Sequence, residues 1–176
     1  AKQTFELLEN LLTWSRAQSG KIEINKEVIN LNTTINKSLN LYSHNAKNKN
    51  ITVVNNVTNE TFVFADKFTL AVIINNIINN AIKFTPNSGK ITVSANIITP
   101  TEVEVSIKDT GVGMSPEILE NLLQTKTSIS NKGTNNEVGS GLGLTLIKTF
   151  VNKNGGKLWV KSEIGKGSEF KFSLSQ

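Results

Sequence analysis

The sequence predicts an α+β fold, a two-layer α/β sandwich whose mixed, mostly antiparallel sheet is covered by helices on one face. Strand-like segments, in which apolar and polar residues alternate, come mostly in neighbouring pairs joined by short turns, so paired strands should run antiparallel. Segments with apolar residues at helical spacing separate these pairs. Their apolar sides need a partner to bury them, and the sheet supplies it.

Five segments are predicted to form helices because apolar residues recur in them every three or four positions. They comprise residues 4–18, 33–48, 67–84, 115–123 and 142–153. In the second helix, Ile35, Leu39 and Tyr42 form the apolar side. The fourth helix opens with Ser115, Pro116 and Glu117, which are typical of a helix start.

Seven segments are predicted to form strands because they alternate and contain many β-branched or aromatic residues. They comprise residues 21–31, which could also hold two short strands, 51–57, 61–65, 90–98, 102–109, 157–163 and 168–175. Short turns at 99–101 and 164–167 predict that the last four strands form two hairpins. The polar segment 124–140 has no periodicity and is predicted to be a long, functional or mobile loop.

Composition excludes several classes of function. The chain has 176 residues, of which 38% are hydrophobic, and this suits one globular domain with a real core. The absence of Cys excludes disulfides and thiolate metal sites. A net charge of +5 from scattered lysines, with only 6% aromatic residues, favours an anionic small ligand and predicts no nucleic-acid partner. No apolar run reaches the ~20 residues of a membrane span, and we expect a cytoplasmic fragment whose parent protein could still be membrane-anchored.

The helix predicted over residues 67–84 carries a polar stripe within an arc of about 100°. Its members are Asn76, Asn79, Asn80 and Lys83. The apolar side opposite comprises Leu70, Ile74, Ile78, Ala81 and Ile82. A solvated surface explains most polar stripes, but Asn is a poor helix former, and a solvated face would use Glu, Lys or Arg. Amide oxygens beside a cation suit hydrated Mg²⁺ with attached phosphates.

Two glycine clusters follow. Residues 109–114, Asp-Thr-Gly-Val-Gly-Met, come directly after a predicted strand, where glycines permit a sharp turn and a close approach to a flat ligand. Residues 139–144, Gly-Ser-Gly-Leu-Gly-Leu, precede a predicted helix, whose free N–H groups can bind an anion. Alone, the first could be an ordinary turn, and the second fits neither the Walker loop nor the dinucleotide fingerprint.

Together these segments resemble the GHKL ATP-binding superfamily, and most closely its sensor histidine kinases. Residues 76–85, Asn-Ile-Ile-Asn-Asn-Ala-Ile-Lys-Phe-Thr, are similar to the N box of that family, and the clusters at 109–114 and 139–144 are similar to its two glycine boxes. Gly155-Gly156 and residues 165–170 resemble its closing segment. The resemblance covers nearly the whole chain and implies the Bergerat fold, but the aromatic box of the family is not recognisable at 121–126.

The resemblance also implies a role for each site residue. Asn80 would ligate Mg²⁺, Asn76 and Lys83 would contact the phosphates as the catalytic pair, and Asp109 would accept the adenine amino group of ATP. Residues 124–140 would be a lid, from which Lys126 or Lys132 could reach the γ-phosphate. The remaining implied nucleotide contacts are Phe84, Gly111, Gly113, Met114, Gly139, Ser140, Gly141, Leu142, Gly143, Leu144 and Ser168.

The kinase resemblance further implies that residues 1–20 end the second helix of a dimerisation and phosphoacceptor hairpin, and that residues 21–176 form the ATP-binding domain. The acceptor histidine would precede Ala1, whereas His44 lacks the flanking residues of an acceptor. Implied partners are that hairpin domain and a response-regulator receiver domain.

Three alternatives remain. An ATPase of the chaperone or topoisomerase type would carry a Glu base where Asn76 stands. An anti-sigma type kinase fits the hairpin-like N-terminus less well. A module without nucleotide leaves the stripe and both glycine clusters unexplained.

Overall fold

The computed structural model describes Leu12, Ser15 and residues 22–124, 133–135 and 142–176. From residue 22 onward, the described ranges contain five helices and seven strands. The helices are α1 (Leu31–Leu41), α2 (Ser43–Asn48), α3 (Lys67–Phe84), α4 (Pro116–Gln124) and α5 (Gly143–Lys153). The strands are β1 (Lys26–Asn30), β2 (Thr52–Asn55), β3 (Phe62–Asp66), β4 (Lys90–Thr99), β5 (Glu102–Asp109), β6 (Leu158–Glu163) and β7 (Gly167–Ser175). The helix predicted over 4–18 lies outside them, apart from Leu12 and Ser15, which are helical.

The seven strands form one mixed sheet, as predicted. Its order is β1-β3-β7-β5-β4-β2, with β6 added along β7. The pairs β4–β5 and β6–β7 are the two predicted hairpins, and both are antiparallel. The parallel pair is β2–β4, whose strands lie on either side of β3 and α3 in the sequence. In a sheet built mainly from hairpins, the helices form the longer connections between strands, and here they cover one face of the sheet.

Helix α3 is the centre of the helical layer, and it has the bounds that the sequence predicts. It packs against α1, α5 and the sheet. The carboxylate of Asp66 caps its start, since Oδ1 accepts a bond of 2.8 Å from the N–H of Thr69. The predicted apolar side, Leu70, Ile74, Ile78, Ala81 and Ile82, is buried throughout. This helix therefore carries core residues on one side and the polar stripe on the other.

Two element predictions are wrong in their bounds. Residues 33–48 do not form one helix, because the backbone breaks at Tyr42, which has φ −100° and ψ 6°. The hydroxyl of Ser43 donates to the carbonyl of Asn40 over 2.8 Å at this break, a local bond that competes with the helix. The strand predicted over 21–31 is shorter, because β3 pairs only with residues 26–30. Asn25 instead donates its N–H to Asp66 Oδ2 over 3.1 Å.

Lysine ammonium groups stabilise the ends of helices in this layer. Lys26 Nζ donates to the carbonyl of Asn154 at the end of α5, over 2.7 Å. Lys148 Nζ donates to the carbonyl of Leu122 in the last turn of α4, also over 2.7 Å. A cation is favoured there by the unpaired carbonyls and by the helix dipole. None of the helices in the described ranges is long and apolar enough to cross a lipid bilayer.

Candidate nucleotide-binding site

The polar stripe of α3 is half-buried and is not an ordinary solvated face. Asn76, Asn79, Asn80 and Lys83 all have intermediate exposure. Asn75, which the sequence analysis left out of the stripe, has a buried Oδ1 without a hydrogen-bond partner among the described residues. Burying an amide without satisfying it costs about 1–3 kcal/mol. A helix surface of this kind is typical of a binding site.

The N-terminus of α5 lies beside the stripe. The Asn76 side chain donates from Nδ2 to the carbonyl of Val72 over 2.8 Å, and Oδ1 is turned toward Gly143. A Cβ added at Gly143 would lie 2.7 Å from that oxygen, so the glycine allows the two helices to meet here. Among the residues that the structure describes, no side chain caps the start of α5. Its first N–H groups are thus suited to an anion.

The structure describes only part of the second glycine cluster. Leu142, Gly143 and Leu144 are described and half-buried. The predicted contacts at Gly139, Ser140 and Gly141 lie outside the described residues, as do those at Lys126 and Lys132. The structure thus brings the later half of this cluster to Asn76.

Asp109, at the end of β5, is a buried carboxylate held in one orientation. It is only 4% exposed. Its Oδ1 accepts the N–H of Gly111 over 2.8 Å and the N–H of Ser168 over 3.2 Å. Burial raises the pKa of this carboxyl above its usual 3.8, and the two backbone bonds oppose the increase in pKa. Because both bonds use Oδ1, a ligand can be recognised by the other oxygen.

The first glycine cluster packs this carboxylate against the end of α3. The N–H of Val112 donates to the carbonyl of Phe84 over 3.1 Å. A Cβ on Gly111 would lie 2.6 Å from the same carbonyl oxygen and 2.5 Å from Asp109 Oδ1. Gly113, with φ +68°, faces the carbonyl of Glu163 in the same way. The sequence predicts a sharp turn and the approach of a flat ligand at Gly111 and Gly113, and the structure shows that both glycines also allow protein segments to approach each other closely.

Ser162, which no sequence motif indicates, connects the turn at residues 109–114 to the final hairpin. Its hydroxyl accepts the N–H of Met114 over 2.9 Å, donates to the carbonyl of Gly167 over 3.0 Å, and lies 2.9 Å from the hydroxyl of Ser168. The pairing of Ser162 with Ser168 across β6 and β7 puts both hydroxyls on one side of the sheet. Only this register reveals the role of Ser162.

Phe84 and Lys83 form the end of the site nearest Asp109. The ammonium of Lys83 lies 4.6 Å from the centre of the Phe84 ring, a cation–π contact. From Asn76 to Phe84 the helix rises about 12 Å. A ligand that touches both the Asp109 end and the α5 N-terminus must therefore be elongated. Among the described residues, no cluster of three or more His, Asp or Glu side chains could hold a metal ion. A cation here would need oxygens from its ligand as well as from Asn80.

Comparison with known proteins identifies the family of the chain. The family model described as "Histidine kinase-, DNA gyrase B-, and HSP90-like ATPase" matches residues 65–176, which include the stripe, both glycine clusters and the final hairpin. The chain belongs to this ATPase family. The GHKL resemblance of its motifs is thereby confirmed, and so is the predicted fold class.

The relatives of this GHKL domain are sensor kinases. LuxQ of Vibrio vulnificus, an autoinducer 2 sensor kinase/phosphatase, is 31% identical in an alignment that covers 96% of this chain and 20% of LuxQ. SasA of Rippkaea orientalis, an adaptive-response sensory kinase, is 31% identical over 99% of the chain and 45% of SasA. The chain thus spans less than half the length of these relatives. The crystal structure of full-length ShkA with AMPPNP matches at 26% identity with a TM-score of 0.82, over 98% of this chain and 35% of ShkA.

Proposed function

We propose that the chain is the ATP-binding catalytic domain of a sensor histidine kinase. The observation that carries this is the pairing of a buried, oriented carboxylate at one end of α3 with an uncapped helix N-terminus beside Asn76 nearer its middle. The first suits the amino group of adenine, and the second suits phosphates. The half-buried Asn stripe spans the distance between them.

In this proposal each end of the site contacts one part of ATP. Asp109 accepts the adenine amino group through the oxygen that the backbone leaves available, and Ser168 with Met114 lines the same end. Phe84 lies beside the nucleotide, and Lys83 and Asn76 contact the phosphates. The α5 N-terminus at Leu142, Gly143 and Leu144 holds phosphate oxygens. The described residues fit this ligand because the N-terminus of α5 offers N–H donors at one end of the site and the Asp109 carboxylate offers an acceptor at the other.

Asn80 would hold Mg²⁺ through its amide oxygen, together with phosphate oxygens. Bound Mg²⁺ would neutralise charge on the phosphates and favour departure of ADP. The protein contributes position, since phosphoryl transfer demands little covalent chemistry from it. We propose further nucleotide contacts from the second glycine box and the lid, at Lys126, Lys132, Gly139, Ser140 and Gly141.

Asn76 favours a kinase over a hydrolase. A base that activates water must accept a proton, and a neutral amide cannot do so. In addition, the Nδ2 of Asn76 is held by the Val72 carbonyl. In a kinase the acceptor imidazole is itself the nucleophile, so this position needs no base. The names of LuxQ and SasA as sensor kinases support the same assignment.

The parent protein supplies the remaining partners in this proposal. Residues 1–20 would end the dimerisation and phosphoacceptor hairpin, and residues 21–176 would form the catalytic domain. The phosphoryl group would pass to a histidine of that hairpin and then to a response-regulator receiver domain, with no nucleic acid involved. His44 is an exposed residue of α2 and is not assigned this role.

Transfer from γ-labelled ATP tests the kinase assignment. The chain alone should bind Mg·ATP by calorimetry and remain unlabelled. When it is mixed with the phosphoacceptor hairpin domain of its parent, acid-labile label should appear on that domain and not on an otherwise identical domain whose acceptor histidine is replaced by Gln. Stable label on His44 of the isolated chain would contradict the assignment, and steady release of free phosphate without transfer would favour the hydrolase.

A further inference from the structure

Lys49 is a buried lysine outside the residues that any motif assigns. It is 4% exposed and comes at the end of α2. Its Nζ donates to the carbonyl of Ile82 over 2.8 Å, to the carbonyl of Lys83 over 3.1 Å and to the hydroxyl oxygen of Thr134 over 2.6 Å. A buried ammonium must find such acceptors, because its desolvation is otherwise unfavourable. These contacts place the cation at the C-terminus of α3, where the helix dipole also favours it.

Thr134 binds to the same helix end from the segment between the two glycine clusters. Its backbone N–H donates to the carbonyl of Lys83 over 3.1 Å. Its hydroxyl lies 3.1 Å from that oxygen and 3.2 Å from the carbonyl of Thr85, so its single proton can go to either. Lys49 donates into the same hydroxyl. The ammonium and the threonine therefore form one network of hydrogen bonds to carbonyls at the end of α3.

The backbone of Lys49 is fixed as well. Its carbonyl accepts the N–H of Ser88 over 2.9 Å, and its N–H donates to the carbonyl of Ala46 over 3.2 Å. The ammonium thus projects from a rigid point of the fold. What it holds is the last turn of α3, which carries Lys83 and Phe84.

We propose that Lys49 is a positioning residue for the nucleotide, which ties the segment at Thr134 to the last turn of α3 and so sets the place of Lys83 and Phe84. This inference rests on the proposed function, since it concerns how the same site is held ready for Mg·ATP. Lys49 touches no reacting atom. It acts through the backbone carbonyls of α3, and its loss should reduce affinity through a disordered helix end.

Binding of Mg·AMPPNP by calorimetry tests the proposal with four single variants of the whole chain and one double variant. Lys49→Met removes the ammonium, and Thr134→Val removes the hydroxyl while keeping the backbone bond. Thr134→Ser keeps the hydroxyl and serves as the rescue. Lys47→Met is the matched charge control, because Lys47 is an exposed lysine of the same helix.

We expect Lys49→Met and Thr134→Val each to weaken affinity by about three- to tenfold, the size expected for a lost buried hydrogen bond. Binding stoichiometry should stay at the wild-type value, and Thr134→Ser and Lys47→Met should bind like wild type. The Lys49→Met/Thr134→Val double variant should weaken affinity by less than the product of the two single effects, because both changes remove the shared contact between Lys49 and Thr134.

Wild-type affinity in Thr134→Val would overturn the proposal, even if Lys49→Met fails to fold. A Lys49→Met effect confined to stoichiometry and to the free energy of unfolding, with an unchanged dissociation constant, would also overturn it, since that pattern marks a purely structural lysine. Absence of adenine-nucleotide binding in the wild-type chain is a different result, which refutes the proposed function itself.

Discussion

Asp109→Asn is expected to weaken Mg·ATP binding by about 10- to 100-fold while the fold stays intact. The Asn oxygen can still accept the N–H groups of Gly111 and Ser168, which bond to Oδ1 in the native chain. The new NH₂ group then occupies the position of the second carboxylate oxygen and faces the adenine amino group as a second donor. A lost charge-assisted hydrogen bond of about 1.5–3 kcal/mol gives this loss of affinity.

The control for this variant is Asp66→Asn. Asp66 is also a buried aspartate with backbone donors, but it caps the opposite end of α3, about 27 Å from the last turn. Asn caps helices nearly as well as Asp, so this variant should retain wild-type affinity. Equal affinity in wild type and Asp109→Asn, measured by calorimetry, would exclude Asp109 from adenine recognition.

The raised pKa of Asp109 predicts that stability and nucleotide binding both depend on pH. Its pKa in the folded chain lies above the usual 3.8 because burial penalises the charge. Its contribution to stability is therefore complete below the unfolded pKa and is lost as pH rises through the folded pKa. Nucleotide affinity should instead increase as pH rises through the folded pKa, since only the ionised carboxylate accepts the adenine amino group. The ratio of wild-type to Asp109→Asn affinity should fall as pH is lowered through the raised pKa, and a constant ratio would contradict the assignment.

Gly167→Ala is expected to lower the free energy of unfolding by about 3–5 kcal/mol, the range of severe backbone and packing defects. Gly167 has φ +92°, and a Cβ there would lie 2.0 Å from the carbonyl oxygen of Asp109 and 2.8 Å from the N–H nitrogen of Gly111. Neither atom can move without displacing the turn that orients the Asp109 carboxylate. Nucleotide binding should therefore decline together with stability.

Gly165→Ala separates backbone strain from the steric clash as causes of the lower free energy of unfolding. Gly165 lies in the same hairpin turn with φ +76°, but a Cβ there would meet nothing within 4 Å. Only the left-handed backbone is then strained, at about 1–2 kcal/mol. Urea denaturation of both variants measures the difference. Equal losses in the two proteins would show that the close approach of Gly167 to the strand end does not matter.

Local signals explain which parts of the fold the sequence predicts. Helix α3 is predicted with its bounds because its apolar periodicity is long and stops at Thr85-Pro86, and the structure adds that Asp66 caps its start. The break at Tyr42 is missed because the apolar periodicity of residues 33–48 continues across it. The parallel pairing of β2 with β4 is missed because no local pattern specifies a partner across so much intervening chain.

The residues of the site are likewise predictable only where a local sequence signal exists. Asn76, Asn80 and Asp109 are predictable because their motifs are contiguous and their residue types are unusual for a helix face or a turn. Lys49 is not, because its partners are 33 to 85 residues away in the chain. Ser162 is not either, because its bond to Met114 spans 48 residues and appears only once the layers are packed. The glycines are predicted, but their physical reason is the packing of protein backbones and not the approach of a ligand alone.

The most direct measurement is a crystal structure of the chain with Mn²⁺ and AMPPNP, in which anomalous scattering locates the metal. The account predicts the metal at the Asn80 amide oxygen, the adenine amino group at Asp109, and phosphate oxygens at the N-terminus of α5 near Gly143. A nucleotide bound elsewhere, with the Asn80 side chain remote from the metal, would contradict it.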